Sequence, residues 1–145
     1  MINIRIESDP SLEGLYESKS IEILTYTLNS EGIKSCDILI IFGNRKLLKD
    51  LKNKYFNIDI TTDVIAFRLN DYSEKNIEGE IYICLLVAKE NAEYYNESYE
   101  NEIARLIIHG GLHLMGYKDD TEIERLEMKK LEDKYIREFN IEESR

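Results

Sequence analysis

Histidine and cysteine are scarce in this chain, two of each in 145 residues, and no apolar run approaches the ~20 residues that a membrane-spanning helix needs. No membrane contact is therefore expected. Cys36 and Cys84 lie in apolar, strand-like runs with no C-x-x-C spacing; they read as two reduced core thiols of a cytoplasmic protein rather than a disulfide framework. The start, M-I-N-I-R-I-E, lacks a basic region followed by an apolar stretch, so no secretion signal is expected. Repeats, low-complexity segments and linker-like stretches are missing too, and the expectation is one domain over residues 1–145, monomer favoured. A hydrophobic content of 43% excludes a disordered chain.

Positive charge is also in short supply. Nineteen Lys and Arg against 29 Asp and Glu leave a net charge of -10, the opposite of the basic surface that a nucleic-acid enzyme normally presents. The shortage is uneven. Asn44 to Lys54 carries Arg45, Lys46, Lys49, Lys52 and Lys54 against only Asp50. Arg45, Lys46, Lys49 and Lys52 form a candidate RNA phosphate-binding strip inside an acidic envelope; the alternative is a solvated helix face.

What the chain does have is I-I-H-G-G-L-H-L-M-G-Y-K-D-D, from Ile107 to Asp120, which holds both histidines. On a helix, His109 and His113 at i and i+4 stack on one face. Gly116 can end that helix in a left-handed turn and return the carboxylate of Asp119 to the imidazoles. Three protein ligands with an open fourth position describe a catalytic zinc site, one Zn2+ per chain. Two unrelated histidines on an ordinary helix are the other possibility. Against it, the pair is flanked by Leu106, Ile107, Ile108, Leu112 and Leu114, and two glycines sit mid-helix at about 1 kcal/mol each. Close approach of a neighbouring strand or a substrate would account for that cost.

Local signals outline the remaining elements. Met1 to Glu7 alternates as a half-buried strand, Asp9-Pro10-Ser11 makes a turn, and Ser18 or Ser20 can cap a helix with Ile21, Leu24 and Leu28 inward, ending near Gly32. Ser35 to Phe42 has the continuous apolar run of a strand buried on both faces. Asn44 caps the basic helix, whose core side is Leu47, Leu48, Leu51 and Tyr55. Asp59 to Phe67 reads as a strand, Leu69 to Gly79 as a loop, and Glu80 to Val87 as a strand followed by a helix from Ala88 to Tyr95. Ser98 caps the histidine helix, from about Tyr99 to Met115. Thr121 with Glu124 makes a capping box for a last helix on which Ile123, Leu126, Leu131 and Tyr135 recur at helical spacing. The fold expected is α+β: a small mixed four-stranded sheet packed with about five helices, the metal-binding helix at its centre.

The segment H-G-G-L-H-L-M-G-Y-K-D resembles the signature of the YbeY family, bacterial metal-dependent endoribonucleases also called rRNA maturation factors, usually written H-G-x-L-H-L-x-G-Y-D-H. His109 and His113 match its first two ligands, and Asp119 stands at the third, usually histidine. Thr62, Asp63, Val64 and Phe67 match a second landmark, T-D-V-L-S-F, with Ala66 in place of the serine. The resemblance extends from Cys36 onward; the N-terminal third matches in element order. The family has an arginine where this chain has Phe56, and Arg68 and Arg105 are the candidates to take its place. The spacing is also similar to the metzincin protease motif, but Gly110 occupies the position of the protease glutamate.

The resemblance implies a metal-dependent, single-strand-specific endoribonuclease acting in rRNA 3′-end maturation and ribosome biogenesis, with RNA and the small ribosomal subunit as partners. Zinc on His109, His113 and Asp119 would bring a water's pKa toward ~7 and polarise a phosphoryl oxygen. Asp63 and Arg105 are the candidate catalytic residues; Asp63, Asp120 and Glu122 are the carboxylates available as general base, none singled out by spacing. A small zinc metallopeptidase and a non-catalytic, metal-stabilised ribosome-associated adaptor are the alternatives.

Overall fold

Parallel pairing of two apolar strands begins the fold. In a computed structural model, which describes residues 1–9 and 17–143, β1 (Ile2–Ser8) pairs in parallel with β2 (Cys36–Gly43), Ile4 opposite Ile38. The crossover between them is α1 (Glu17–Ser30), which already runs through Ser18 and Ser20, so neither serine precedes it as a cap; Ser20 is buried. Its inward face is Ile23, Leu24 and Leu28, with Ile21 only partly covered. The expected turn at Pro10 and Ser11 lies outside the described residues. Gly32 (φ +81°) ends α1: its N–H and that of Ile33 donate to the carbonyls of Asn29 and Leu28, at 3.1 and 2.9 Å.

Asn44 caps α2 (Arg45–Phe56) through a 2.9 Å bond from the Leu47 N–H. The chain returns as β3 (Val64–Arg68), antiparallel to β4 (Ile77–Cys84), which pairs in parallel with β2. Strand order is β1-β2-β4-β3, a four-stranded mixed sheet. Then follow α3 (Leu85–Tyr94), α4 (Tyr99–Leu114) and α5 (Glu122–Glu143), which complete an α+β fold. Ser98 caps α4, and Thr121 and Glu124 exchange the reciprocal bonds of a capping box at 2.9 and 3.1 Å.

The core lies between one sheet face (Ile4, Ile38, Ile40, Ile81, Ile83) and α1, α4 and α5. Cys36 and Cys84 are buried free thiols. The other sheet face is covered only in part by α2, around Leu48, Ile65 and Cys84, so Leu39 and Ile41 stay half-buried and β2 is not enclosed on both sides.

Some sequence-read boundaries move. Residues 59–63 are not strand, and β4 starts at Ile77 inside the expected loop. The apolar run past Cys84 turns into helix, so Leu85 to Val87 open α3. On α5 the buried stripe is Met128, Tyr135, Ile136 and Phe139, whereas Ile123 and Leu126 are exposed. Tyr55 of α2 is exposed as well.

Candidate metal centre

Helix α4 reaches the centre of the molecule because two of its residues have no side chain. A Cβ on Gly110 would stand 2.6 Å from Ile81 Cγ2 of β4, and one on Gly111 2.8 Å from Leu24 Cδ1 of α1. The helix therefore rests directly on strand and helix neighbours. That close approach is what the mid-helix glycines provide. His109 and His113 lie side by side on a partly exposed face, ring centroids 4.6 Å apart.

The end of α4 is a Schellman turn. Gly116 takes φ +106°, its N–H donates to the His113 carbonyl at 3.0 Å, and the Tyr117 N–H donates to the Leu112 carbonyl at 3.1 Å. The turn swings the Tyr117 carbonyl to 2.9 Å from His113 Nδ1 and carries Asp119 back over the helix. Arg125 holds the returning loop, donating to the carbonyls of Asp119 and Asp120 at 3.2 and 3.1 Å.

Three donor atoms converge as a result. His109 Nε2 and His113 Nε2 are 3.0 Å apart, and Asp119 Oδ2 lies 3.2 Å from the second and 3.4 Å from the first. Tetrahedral zinc with bonds of ~2.0–2.1 Å spaces its ligands by about 3.3 Å. The tautomers follow from the other ring nitrogens. A carbonyl can only accept, so His113 Nδ1 carries the proton toward Tyr117; His109 Nδ1 faces the Glu132 carboxylate at 2.7 Å and is assigned likewise. Both Nε2 lone pairs then point with a carboxylate oxygen at one locus, an arrangement that could hold a cation. Among the described residues, His109, His113 and Asp119 are the group of three His, Cys, Asp or Glu donors close enough to hold a metal.

Sequence reading missed Glu132. This buried α5 carboxylate bonds His109 and accepts from Arg105 at 3.3 Å, while Arg105 also donates to Asp133 at 2.8 Å. Burial works against a charged His109, but the hydrogen bond and charge of Glu132, with the charges of Asp119 and Asp63, outweigh it and raise its pKa. Asp63 is partly buried; Asn91 donates to it at 3.1 Å and reaches the buried Glu102 at 3.4 Å. Desolvation pushes the pKa of Glu102 up.

Two cavities, of about 750 and 720 Å³, share Asp63, Val64, His109 and Asp119. The first also takes in Arg105, Arg125 and Glu132. The second is lined by His113, Lys52, Phe56, Tyr72 and Asp120, among others. Arg68 reaches neither lining: its guanidinium donates to the carbonyls of Leu114 (2.8 Å), Asp71 (3.0 Å) and Glu74 (3.1 Å) and clamps the end of α4. Glu122 is exposed at the start of α5 and lines neither. Within the basic strip, Lys52 enters the second cavity, while Arg45 pairs with Glu90, Lys46 with Asp50 (3.0 Å) and Lys49 with Asp59 (3.7 Å).

A family model described as Endoribonuclease YbeY matches residues 3–140, which takes in the N-terminal strand and helix as well as the histidine motif. A protein named Endoribonuclease YbeY from Flavobacterium psychrophilum is 34% identical over 145 residues, spanning 99% of this chain and 100% of the relative. The protein of the same name from Chlorobaculum parvum is 36% identical over 120 residues, 83% of this chain and 84% of its own length. The solution structure of a Thermotoga maritima protein superposes with a TM-score of 0.60 at 31% identity, covering 94% of this chain and 87% of that one. On its sequence, its fold and its convergent histidine pair, this chain belongs to the YbeY endoribonuclease family.

Proposed function

We propose that the chain is a metal-dependent endoribonuclease that cuts single-stranded RNA and acts in maturing the 3′ end of rRNA, with the small ribosomal subunit as the setting. The observation that carries the metal half is the triangle of His109 Nε2, His113 Nε2 and Asp119 Oδ2, open to two cavities. Family membership supports the RNA half. Zinc suits two imidazoles and a carboxylate with no thiolate at hand, and when bound it supplies Lewis acidity toward a water and a phosphoryl oxygen.

The chain's own groups divide the remaining work. Glu132 keeps His109 in the ligating tautomer, and the Tyr117 carbonyl does the same for His113. Asp63, which like Asp119 lines both cavities but is not one of the three donors, would take a proton from the attacking water. Arg105 in the first cavity and Lys52 in the second are the cations we assign to meet phosphate. Arg45, Lys46 and Lys49 extend that strip along α2.

The adaptor reading requires a closed site with a fourth protein ligand, and no fourth joins the three among the described residues. Where a peptidase would carry its glutamate, this chain has Gly110 pressed onto Ile81, and a side chain there would force its neighbour to shift. The test is elemental analysis of the purified protein joined to cleavage of single-stranded RNA, duplex RNA and casein, with and without chelator. Chelator-sensitive cutting of the single strand alone is the expected result. Casein hydrolysis, or a metal-loaded protein inert to RNA, overturns it.

A further inference from the structure

Residues 55–60 leave Tyr55, Phe56, Ile58 and Ile60 exposed to solvent. Four large apolar side chains exposed within six residues make this segment a candidate binding surface. Phe56, 46% exposed, is the member that enters the cavity containing His109, His113 and Asp119. Its ring is held in place. It stacks on Phe67 of β3, centroids 6.1 Å apart and planes 22° from parallel, and Phe67 in turn meets Tyr55 and Tyr82 edge-on. Directly after it, Asn57 adopts a left-handed conformation that ends α2.

Lys52, one turn earlier, places Nζ 4.6 Å from the Phe56 centroid and lines the same cavity. A cation over an exposed ring is held only weakly, so this ammonium on its flexible stem yields the ring to a better partner. Tyr72, 60% exposed, also lines the cavity, with its hydroxyl 3.5 Å from the His113 carbonyl. The cavity volume, about 720 Å³, is within the ~300–1,000 Å³ usual for small-molecule sites.

We propose that Phe56 is a nucleobase-stacking platform beside the metal triad, with Lys52 meeting the phosphate of the same nucleotide, so that this site takes an unstacked base of single-stranded RNA. The proposal rests on the endoribonuclease reading above. Every base has a flat π face, so stacking on a phenyl ring holds a nucleotide whatever its identity. A base inside a duplex has that face covered by its neighbours, which gives preference for single strands a structural source. An apolar wall alone would suit a protein side chain equally well. An ammonium on the ring and a phosphate-hydrolysing centre in the same cavity favour a nucleotide.

The experiment titrates the metal-loaded full chain, by fluorescence anisotropy read before turnover, with a short single-stranded RNA and with a ribose-phosphate strand of equal length lacking bases. Phe56→Leu keeps the apolar contact with Phe67 and removes the aromatic face; Phe56→Trp keeps both. The leucine variant is expected to bind RNA at least about fivefold more weakly, since stacking contributes ~1–3 kcal/mol per base. It should bind the baseless strand as wild type does, and the tryptophan variant should recover RNA binding. Equal losses on both strands overturn the platform, because the defect is then not base recognition. Unchanged RNA affinity overturns it too, and leaves residues 55–60 as a protein-docking surface. A wild-type chain that binds neither strand removes the RNA reading itself, whereas binding that ignores Phe56 removes the platform alone.

Discussion

Glu132 accepts the hydrogen bond of His109 Nδ1 at 2.7 Å through a carboxylate only 9% exposed, 23 residues away along the chain. A carboxylate behind a ligating histidine fixes the ring's tautomer and orientation and strengthens its donor nitrogen. Glu132→Ala is expected to weaken metal binding about 10–100-fold, read by competition with a chromogenic chelator. Glu132→Gln should lose less, because its amide oxygen still accepts the Nδ1 proton although the charge is gone. Arg105 keeps Asp133 as a partner in both variants, so the fold should persist. Equal affinities in the two variants and the wild type would show that His109 orients itself without help.

A metal held by the histidine pair would compete with protons for the same nitrogens. His113→Ala should abolish stoichiometric metal while the chain stays folded, because the core between the sheet and α1, α4 and α5 is built from apolar side chains and not from the two histidines. Acid should strip the wild type, and earlier than an ordinary imidazole pKa of 6.5 would have it, since His109 is raised above that value. In the metal-free chain the sign inverts. A raised pKa in the folded state gives stability that is present below the unfolded value and lost as pH rises through the folded one. The His109 contribution to the apo protein's melting temperature should thus fall with rising pH, and metal retention should rise. Two melting curves, with and without chelator, over pH 5–8 measure both; parallel slopes would mean the histidine pair does not bind the metal.

Much of this was legible because it is local. Ser98, Asn44 and Thr121 with Glu124 cap helices through bonds spanning three residues, and each reads off the sequence as it stands in the fold. Spacing also sufficed for His109, His113 and Gly116, all within one helix and its turn. Glu132 was not legible that way, since its partner is on another helix. One signal existed: Met128, Tyr135, Ile136 and Phe139 form the true buried stripe of α5, and Glu132 interrupts it. A carboxylate in a buried stripe implies a charged or hydrogen-bonding partner. Periodicity alone does not place the stripe, since Ile123 and Leu126, exposed here, fit a helical period equally well. Leu85 to Val87 misled for a related reason: an apolar run with no glycine or proline has no mark where strand becomes helix.

Gly116→Val should cost the site as much as losing a ligand. There is room for a Cβ, which would come no closer than 3.7 Å to Tyr72, so the penalty is conformational. At φ +106° a β-branched residue is strained by about 1–3 kcal/mol. Relaxing that strain undoes the turn that brings the Tyr117 carbonyl to His113 and Asp119 to both rings. Gly110→Ala is the contrasting case: its Cβ collides with Ile81, so the fold rather than the turn is hit and the melting temperature should drop. A Gly116→Val protein with wild-type metal content would show that Asp119 reaches the histidines by another route.

The basic strip of α2 divides into one cation aimed at the site and three engaged with acids. Lys52 lines the cavity of the metal triad, whereas Arg45, Lys46 and Lys49 lie beside Glu90, Asp50 and Asp59. Each phosphate contact with a single strand contributes about 0.7 to the slope of log affinity against log salt. Replacing Lys46, Lys49 and Lys52 together with glutamine should weaken RNA binding and flatten that slope. Lys52→Gln alone should account for close to one contact, and the Lys46, Lys49 pair for less than two, because Asp50 and Asp59 already offset part of their charge. Exposed ion pairs of this kind contribute at most about 1 kcal/mol, so melting temperature and metal content should hardly move. The net charge of -10 sharpens the measurement, since general repulsion of RNA makes each local cation count. A triple variant with an unchanged slope would reduce the strip to a solvated helix face and leave delivery of RNA to a partner.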